Sequence, residues 1–252
     1  MFNRDITKLE LDDIKITSSK GSFRHEFKFY INYFEYEILK RKLKLCLQSD
    51  KNSDENGEYH IRSLYFDDIR NTALYEKQAG ILSRKKYRIR IYNLSDDIIK
   101  LEKKSRNGQF ISKVSAKISK KQYYQIINKD IEFLKFSNIN LFKEFYFDMV
   151  SSQYSPVVIV DYVREAYIWT HNNVRVTFDK NLSSGLHSLD IFDDVRTVNV
   201  IEEPQLIVEI KYDNFLPDFI RKIIQIDSSQ KYAISKYVIC RKYTKLNSWE
   251  DN

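Results

Sequence analysis

Glycine and proline are scarce: the chain has five and three of them in 252 residues. So little of either leaves no long flexible linker, and one continuous domain is expected. Cysteine is scarcer still. Cys46 and Cys240 have no metal-ligand spacing and read as free thiols in a reducing compartment. His25, His60, His171 and His187 also lack such spacing and read as structural. No apolar run approaches the ~18 residues that span a bilayer, and the N-terminus has no signal-peptide core. The expected compartment is the cytoplasm. No GxxxxGKS or GxxxxGKT run occurs, and neither HExxH nor a nucleophile elbow is present. Those absences remove P-loop, zinc-helix and serine-elbow chemistry.

What the chain does have is positive charge. Lys and Arg number 42 against 35 Asp and Glu, a net charge of +7 with pI near 9.1. Such a balance favours an anionic partner: a nucleotide, a phosphate polymer, nucleic acid or a lipid head group. The 14% aromatic content supplies material for a core.

The charge is patterned. In RKKYRIRIY, Lys86, Arg88 and Arg90 share one side of a strand, with Tyr87, Ile89 and Ile91 behind them. In IIKLEKKSR, Lys100, Glu102, Lys104 and Arg106 share a side, backed by Ile99 and Leu101. Asn107-Gly108 signals a hairpin to a third strand carrying Lys113 and Lys117. Other strands are expected in SFRHEFKFY, in the stretch around IRSLYF, and in VVIVDYVREAYIW, VRVTFDK and LIVEIKY. A helix is expected after Asn32, with Glu35 completing a capping box and Phe34, Ile38 and Leu45 among its apolar residues. Residues 119–152 read as helical, with Phe133, Phe136, Phe142, Phe145 and Phe147 as core contacts. Two more helices are expected, over 214–226 and from about Ser235 to Tyr243.

Across all strands the charged sides hold thirteen cations and four acids, Glu26, Glu102, Asp179 and Glu209. An ordinary surface intersperses the signs. One antiparallel sheet with a wet face accounts for any single strand. A closed barrel with a charged lumen accounts better for the whole set, because a lumen of one sign concentrates the opposite charge. The acids among those cations suit Mg²⁺ or Mn²⁺, which takes carboxylates together with substrate phosphates.

Eight segments, in order, carry a resemblance: RHEFKF, IRSLYFDD, KYRIRIY, LEKKSR, DYVREAY, VRVTFDKNL, LIVEIKYD and SKY. Through them, from residue 24 to 237, the sequence resembles the VTC domain, the polyphosphate polymerase domain of the vacuolar transporter chaperone family. That family lies in the triphosphate tunnel group with CYTH-type phosphatases and cyclases. The resemblance implies an α+β fold, a closed antiparallel barrel with helices packed outside, over residues 22–243. Residues 1–21 and 244–252 are expected as tails. It implies that Lys28, Arg88, Arg90, Lys104, Arg164 and Arg175 bind phosphate, with Lys236 beside Ser235 reaching in from the C-terminal helix. Tyr162 matches a lumen tyrosine, and Arg24, Lys86 and Arg106 extend the substrate-binding set. Glu209 matches a metal-binding glutamate, with Glu26 as a second metal ligand, for Mn²⁺ or Mg²⁺.

The chain departs from the pattern at two positions. Arg24 stands where the wider group has the first acid of ExExK, which weakens a two-metal, phosphatase-like reading. Arg106 stands where the eukaryotic pattern has His; it keeps the charge and cannot shuttle a proton. The expected activity is transfer of the γ-phosphoryl group of ATP to a growing inorganic polyphosphate chain. A triphosphatase and a non-catalytic polyphosphate-binding module are the alternatives. A separate membrane protein is a candidate partner, which would bring the chain to the inner face of a membrane. Nucleic acid is not expected, because stacking aromatics are not placed on the basic faces. Oligomeric state is left open.

Overall fold

The computed structural model describes residues 15–17, 24–108, 110–186, 188–202, 204–224 and 233–247. The expected N-terminal tail lies outside these residues except for Lys15–Thr17, as do His187 and most of the C-terminal tail. In chain order the elements are β1 (Lys15–Thr17), β2 (Arg24–Asn32), α1 (Tyr33–Cys46), β3 (Gln48–Ser49), β4 (Glu58–Asp67) and α2 (Thr72–Gln78). Next come β5 (Arg84–Tyr92), β6 (Ser95–Asn107), β7 (Phe110–Ile118), α3 (Lys120–Ile127), α4 (Glu132–Lys135) and α5 (Asn140–Ser151). The last are β8 (Ser155–Trp169), β9 (Val174–Gly185), β10 (Thr197–Asn199), β11 (Gln205–Asp213), α6 (Asp218–Ile223) and α7 (Lys236–Asn247). The fold is α+β, with antiparallel strands and helices packed on them. Among the described residues no helix is long and apolar enough to cross a membrane.

The chain forms two compact units. The first comprises Met1–Ser19, Arg62–Ile159 and Leu186–Arg196, and its strand order is β1-β7-β6-β5-β4. Its core joins Tyr87, Ile89, Ile91 and Leu101 to Tyr123 of α3 and to Phe142 and Phe145 of α5. Ile89, Ile91 and Leu101 thus pack against helices, as their alternation predicts. Phe136 and Phe147 do not join them: both are exposed, while Phe133 is partly buried. Leu101 is fully buried, so Leu101→Ala should cost about 2–5 kcal/mol in urea unfolding. A loss well under 1 kcal/mol would remove Leu101 from the supporting core.

The second unit comprises Lys20–Ile61, Val160–Gly185 and Thr197–Asn252, with strand order β8-β9-β11-β2. β3 pairs with β8 and β10 with β9. The predicted capping box forms: the Glu35 amide donates to Asn32 Oδ1 at 2.9 Å, and the Asn32 amide to Glu35 Oε2 at 2.8 Å. The helix it starts buries Tyr36, Leu39 and Leu43, not Phe34, Ile38 and Leu45, which are exposed. Buried polar groups fix this orientation. Tyr36 donates to the buried Glu165 of β8 at 2.6 Å, and Lys40 lies 3.2 Å from the same carboxylate.

The expected closed barrel is not formed by the pairing within either unit. Neither strand order returns to its first strand among the described residues. Closure needs edge strands long enough to tilt and stagger onto each other. β1, at the edge of the first unit, has three residues.

Candidate functional site

In the first unit the charged sides of β5, β6 and β7 form a grid. Register sets Lys86 opposite Lys104 and Lys104 opposite Lys113. One row on, Arg88 faces Glu102 and Glu102 faces Ser115; the next row is Arg90, Lys100 and Lys117. Like charges directly opposite repel, and the buried Glu102 in the middle row offsets part of that repulsion. Arg88 Nε lies 2.6 Å from Glu102 Oε2, Lys113 Nζ 2.5 Å from Oε1, and Arg90 Nη1 4.0 Å from Oε2. Side chains of β4 hold the guanidinium groups in place: Arg88 donates to Tyr65 Oη at 2.9 Å and Arg90 to Ser63 Oγ at 3.2 Å. Arg106 sits at the hairpin end and donates to the Gly108 carbonyl at 2.8 Å.

Burial alone would push the Glu102 carboxyl up. Arg88, Arg90 and Lys113 outweigh it and hold the group far below the usual carboxylate range. For Lys113, burial and the two arginines outweigh Glu102 and bring its pKa down to about 8. Lys113 therefore carries its charge at pH 7 and sheds it as pH rises through about 8. Affinity for tripolyphosphate should fall severalfold between pH 7 and 9, and Lys113→Arg should abolish that dependence. A flat titration of the native protein by calorimetry would remove Lys113 from the phosphate contacts.

In the second unit, Glu209 of β11 faces Lys28 of β2 and Thr177 of β9, and Lys211 faces Glu26 and Arg175. Lys211 Nζ is 2.7 Å from Glu209 Oε1 and Lys28 Nζ is 3.7 Å from the same oxygen. Lys28 also lies 2.6 Å from Glu26 Oε1. Arg164 of β8 grips Asp179 of β9 through two bonds, 2.6 and 2.8 Å, and points Nη2 at Glu209 Oε2 from 3.6 Å. Lys236, the first residue of α7, pairs with Asp179. A cation at a helix N-terminus opposes the helix dipole, and the buried carboxylate offsets this. The register shifts between Asp161 and Val163. Such a bulge re-aims a side chain, and Tyr162 lies between them with its ring 5.2 Å from Arg164 Cζ and 4.9 Å from Lys236 Nζ.

The charges hold each other ionised. Burial raises Glu209, yet Lys211, Lys28, Lys236 and Arg164 hold it well below the ordinary range. Burial raises Asp179 too, but Arg164 and Lys236 bring it down to about 2. Burial lowers Lys28, and Glu209 and Glu26 reverse that and raise it. Burial prevails at Lys211, which is lowered.

Eight of the thirteen strand-face cations and one of the four acids therefore lie in the first unit, and five cations with three acids in the second. In the first unit Arg88, Arg90, Lys86 and Lys104 share its charged face; in the second unit Lys28, Glu26, Arg164, Arg175 and Glu209 share another, with Tyr162 against Arg164 and Lys236 reaching in. Arg175 is tied off at one side, 2.5 Å from Asp50 Oδ2 and 2.8 Å from Tyr59 Oη. Ser235 directly precedes α7, and its carbonyl accepts from the Ile239 amide at 3.0 Å. The side chain of Arg24 lies outside the described residues. Sequence reasoning gave no role to Asp50 or Tyr59, and it read Glu102 and Asp179 only as acids suited to a divalent metal, not as the ion-pair partners of Arg88 and Arg164. Glu102 and Asp179 were visible as acids on cationic strand faces; Asp50 and Tyr59 gave no such signal.

Among the described residues no group of three or more His, Cys, Asp or Glu side chains could hold an ion. Glu209 is nevertheless a buried carboxylate kept ionised, with Glu26 beside it on Lys28. That set fits a magnesium-type ion held by one or two carboxylates and completed by substrate oxygens. It does not fit a cage made by protein alone.

The fold is similar to those of several solved structures. The Hippeastrum protein HpAC1, described as having a dominant triphosphatase activity, has a TM-score of 0.51 at 15% identity, over 86% of this chain and 95% of that one. The PH1819 protein of Pyrococcus horikoshii OT3 has a TM-score of 0.47 at 12% identity, over 88% of this chain and 99% of that one. A comparison with curated proteins gives no match. The VTC domain family model matches residues 23–245, a span that holds every strand of the second unit and all but β1 of the first. The chain belongs to the VTC domain family.

Proposed function

We propose that the chain is a polyphosphate polymerase that passes the γ-phosphoryl group of ATP to the end of an inorganic polyphosphate chain. The observation that carries this reading is the unequal division of charge. The first unit's face has a large cationic surplus with one buried acid, which suits retention of a polyanion. The second unit's face sets Glu209 and Asp179 among Lys28, Arg164, Lys211 and Lys236, which suits the reacting phosphates. Phosphoryl transfer needs positioning and charge neutralisation more than covalent help from the protein. Arg164, oriented by Asp179 through Nε and Nη2, would turn its Nη1 edge to phosphate oxygens, and Lys28 and Lys236 would offer point charges. Glu209, with Glu26, would hold Mn²⁺ or Mg²⁺, and the bound ion would neutralise charge on the transferring group. A terminal phosphate acceptor is already ionised, so no strong general base is needed.

A triphosphatase is the second reading, favoured by the fold likeness to HpAC1. Arg24 in place of an acid disfavours it. Incubation with ATP and Mn²⁺ separates the two by product: an acid-insoluble phosphate polymer supports the polymerase, and orthophosphate alone supports the hydrolase. Tight polyphosphate binding with neither product would leave a binding module.

A further inference from the structure

α1 carries a second apolar stripe, on the side away from its core. Phe34 is 75% exposed and Leu45 86%, with Ile38 exposed between them. Positions 34, 38 and 45 fall in one helical row. Arg41, Lys42 and Lys44 are exposed along the same side. α6 packs into the same core through Ile220, with Leu216 and Ile224 at its two ends. Its outward side carries Phe219, exposed and edge-on to Trp169, followed by Arg221 and Lys222, and Phe215, 60% exposed, lies in the loop just before the helix. Asp218 is the exposed acid beside them, and Glu37 is half-buried.

Single exposed apolar residues are ordinary. A three-residue apolar stripe flanked by cations on α1, beside a neighbouring helix that adds Phe219 and two cations with Phe215 just ahead of it, is not. We propose that the outward sides of α1 and α6 form a docking surface for an anionic lipid bilayer. Phenylalanine and leucine would enter at head-group depth, while the lysine and arginine stems reach lipid phosphates. Lysine is depleted at protein–protein interfaces, and three of the five cations here are lysine, so charge favours the lipid surface over a protein groove. The α1 core contacts and its tie to Glu165 hold the stripe outward. This surface is distinct from the charged strand faces and does not rest on the polymerase reading.

The test is co-sedimentation of the full chain with phosphatidylcholine vesicles, with and without phosphatidylserine, in excess tripolyphosphate to occupy the strand faces. Binding is expected only when phosphatidylserine is present. Phe34→Ser with Leu45→Ser should weaken it about tenfold or more, as should Lys42→Glu with Lys44→Glu. Phe147→Ser, at an exposed aromatic of α5, should leave it unchanged. Tripolyphosphate affinity in solution should stay at the native level in the Phe34/Leu45 variant, which separates this proposal from the function of the strand faces. Three results would overturn it: no vesicle binding by the native chain, equal binding by the Phe34/Leu45 variant, or a dimer that this variant abolishes in a chain that ignores vesicles.

Discussion

Glu209→Gln should still bind polyphosphate, at least as tightly as the native chain, and lose metal-dependent turnover by orders of magnitude. Glutamine keeps the size of the side chain and one acceptor oxygen. It removes the negative charge that faces Lys211, Lys28 and Arg164. Those cations are then free of one competitor for phosphate, so affinity should hold or rise. A metal held partly by that carboxylate would be lost, and with it the neutralisation of charge developing in transfer. Removing one partner from a buried charged cluster also carries a stability cost of about 3–5 kcal/mol. Turnover must therefore be measured on the folded fraction at saturating Mn²⁺. If Glu209 serves only as an ion-pair partner, the folded variant will turn over within a few-fold of native.

Glu102→Ala should give the second large effect, on stability rather than chemistry. Glu102 is 2% exposed and contacts Arg88 and Lys113 directly, with Arg90 at 4.0 Å. Its loss leaves those cations repelling one another in a low-dielectric setting, at about 3–5 kcal/mol. Tripolyphosphate should restore much of the lost stability, because a bound polyanion takes over the neutralisation. The rise in Tm on adding it should be larger for the variant than for the native chain. The pH dependence follows from the depressed carboxyl. Its contribution is complete above its unfolded value, near 4.5, and is lost as pH falls through the lower folded value. The native Tm should therefore drop on acidification below about pH 4.5 more steeply than that of the variant. Equal acid profiles, with no extra gain from tripolyphosphate, would show that Glu102 is not the neutralising centre of this face.

Much of the site was legible because strand alternation is a rigid rule. Once RKKYRIRIY is a strand, Arg88 and Arg90 must share a side and Ile89 must oppose them. The register then sets Glu102 opposite Arg88, with Lys113 reaching it from the next row, an arrangement that alternation permits without naming the partners. Contacts between elements far apart in sequence were not legible. Asp50 meets Arg175 from a loop after β3, and Lys236 meets Asp179 from α7. Helix faces were ambiguous where two apolar stripes compete. In α1 both Phe34/Ile38/Leu45 and Tyr36/Leu39/Leu43 have helical spacing, and the second faces in because Tyr36 finds Glu165. Phe147 misled for a related reason: a large aromatic reads as core until its neighbours show which side of the helix is covered, whereas Phe136 falls just past the end of α4. Barrel closure was inferred from the excess of one charge sign. The pairing within each unit leaves the sheet open, because charge pattern constrains faces and not edges.

The most direct measurement follows the label from γ-³²P-ATP in the presence of Mn²⁺, together with the ADP released. The polymerase account predicts label in an acid-insoluble phosphate polymer and one ADP for each phosphate added. Label appearing only as orthophosphate, or ADP formed with no polymer, would contradict it.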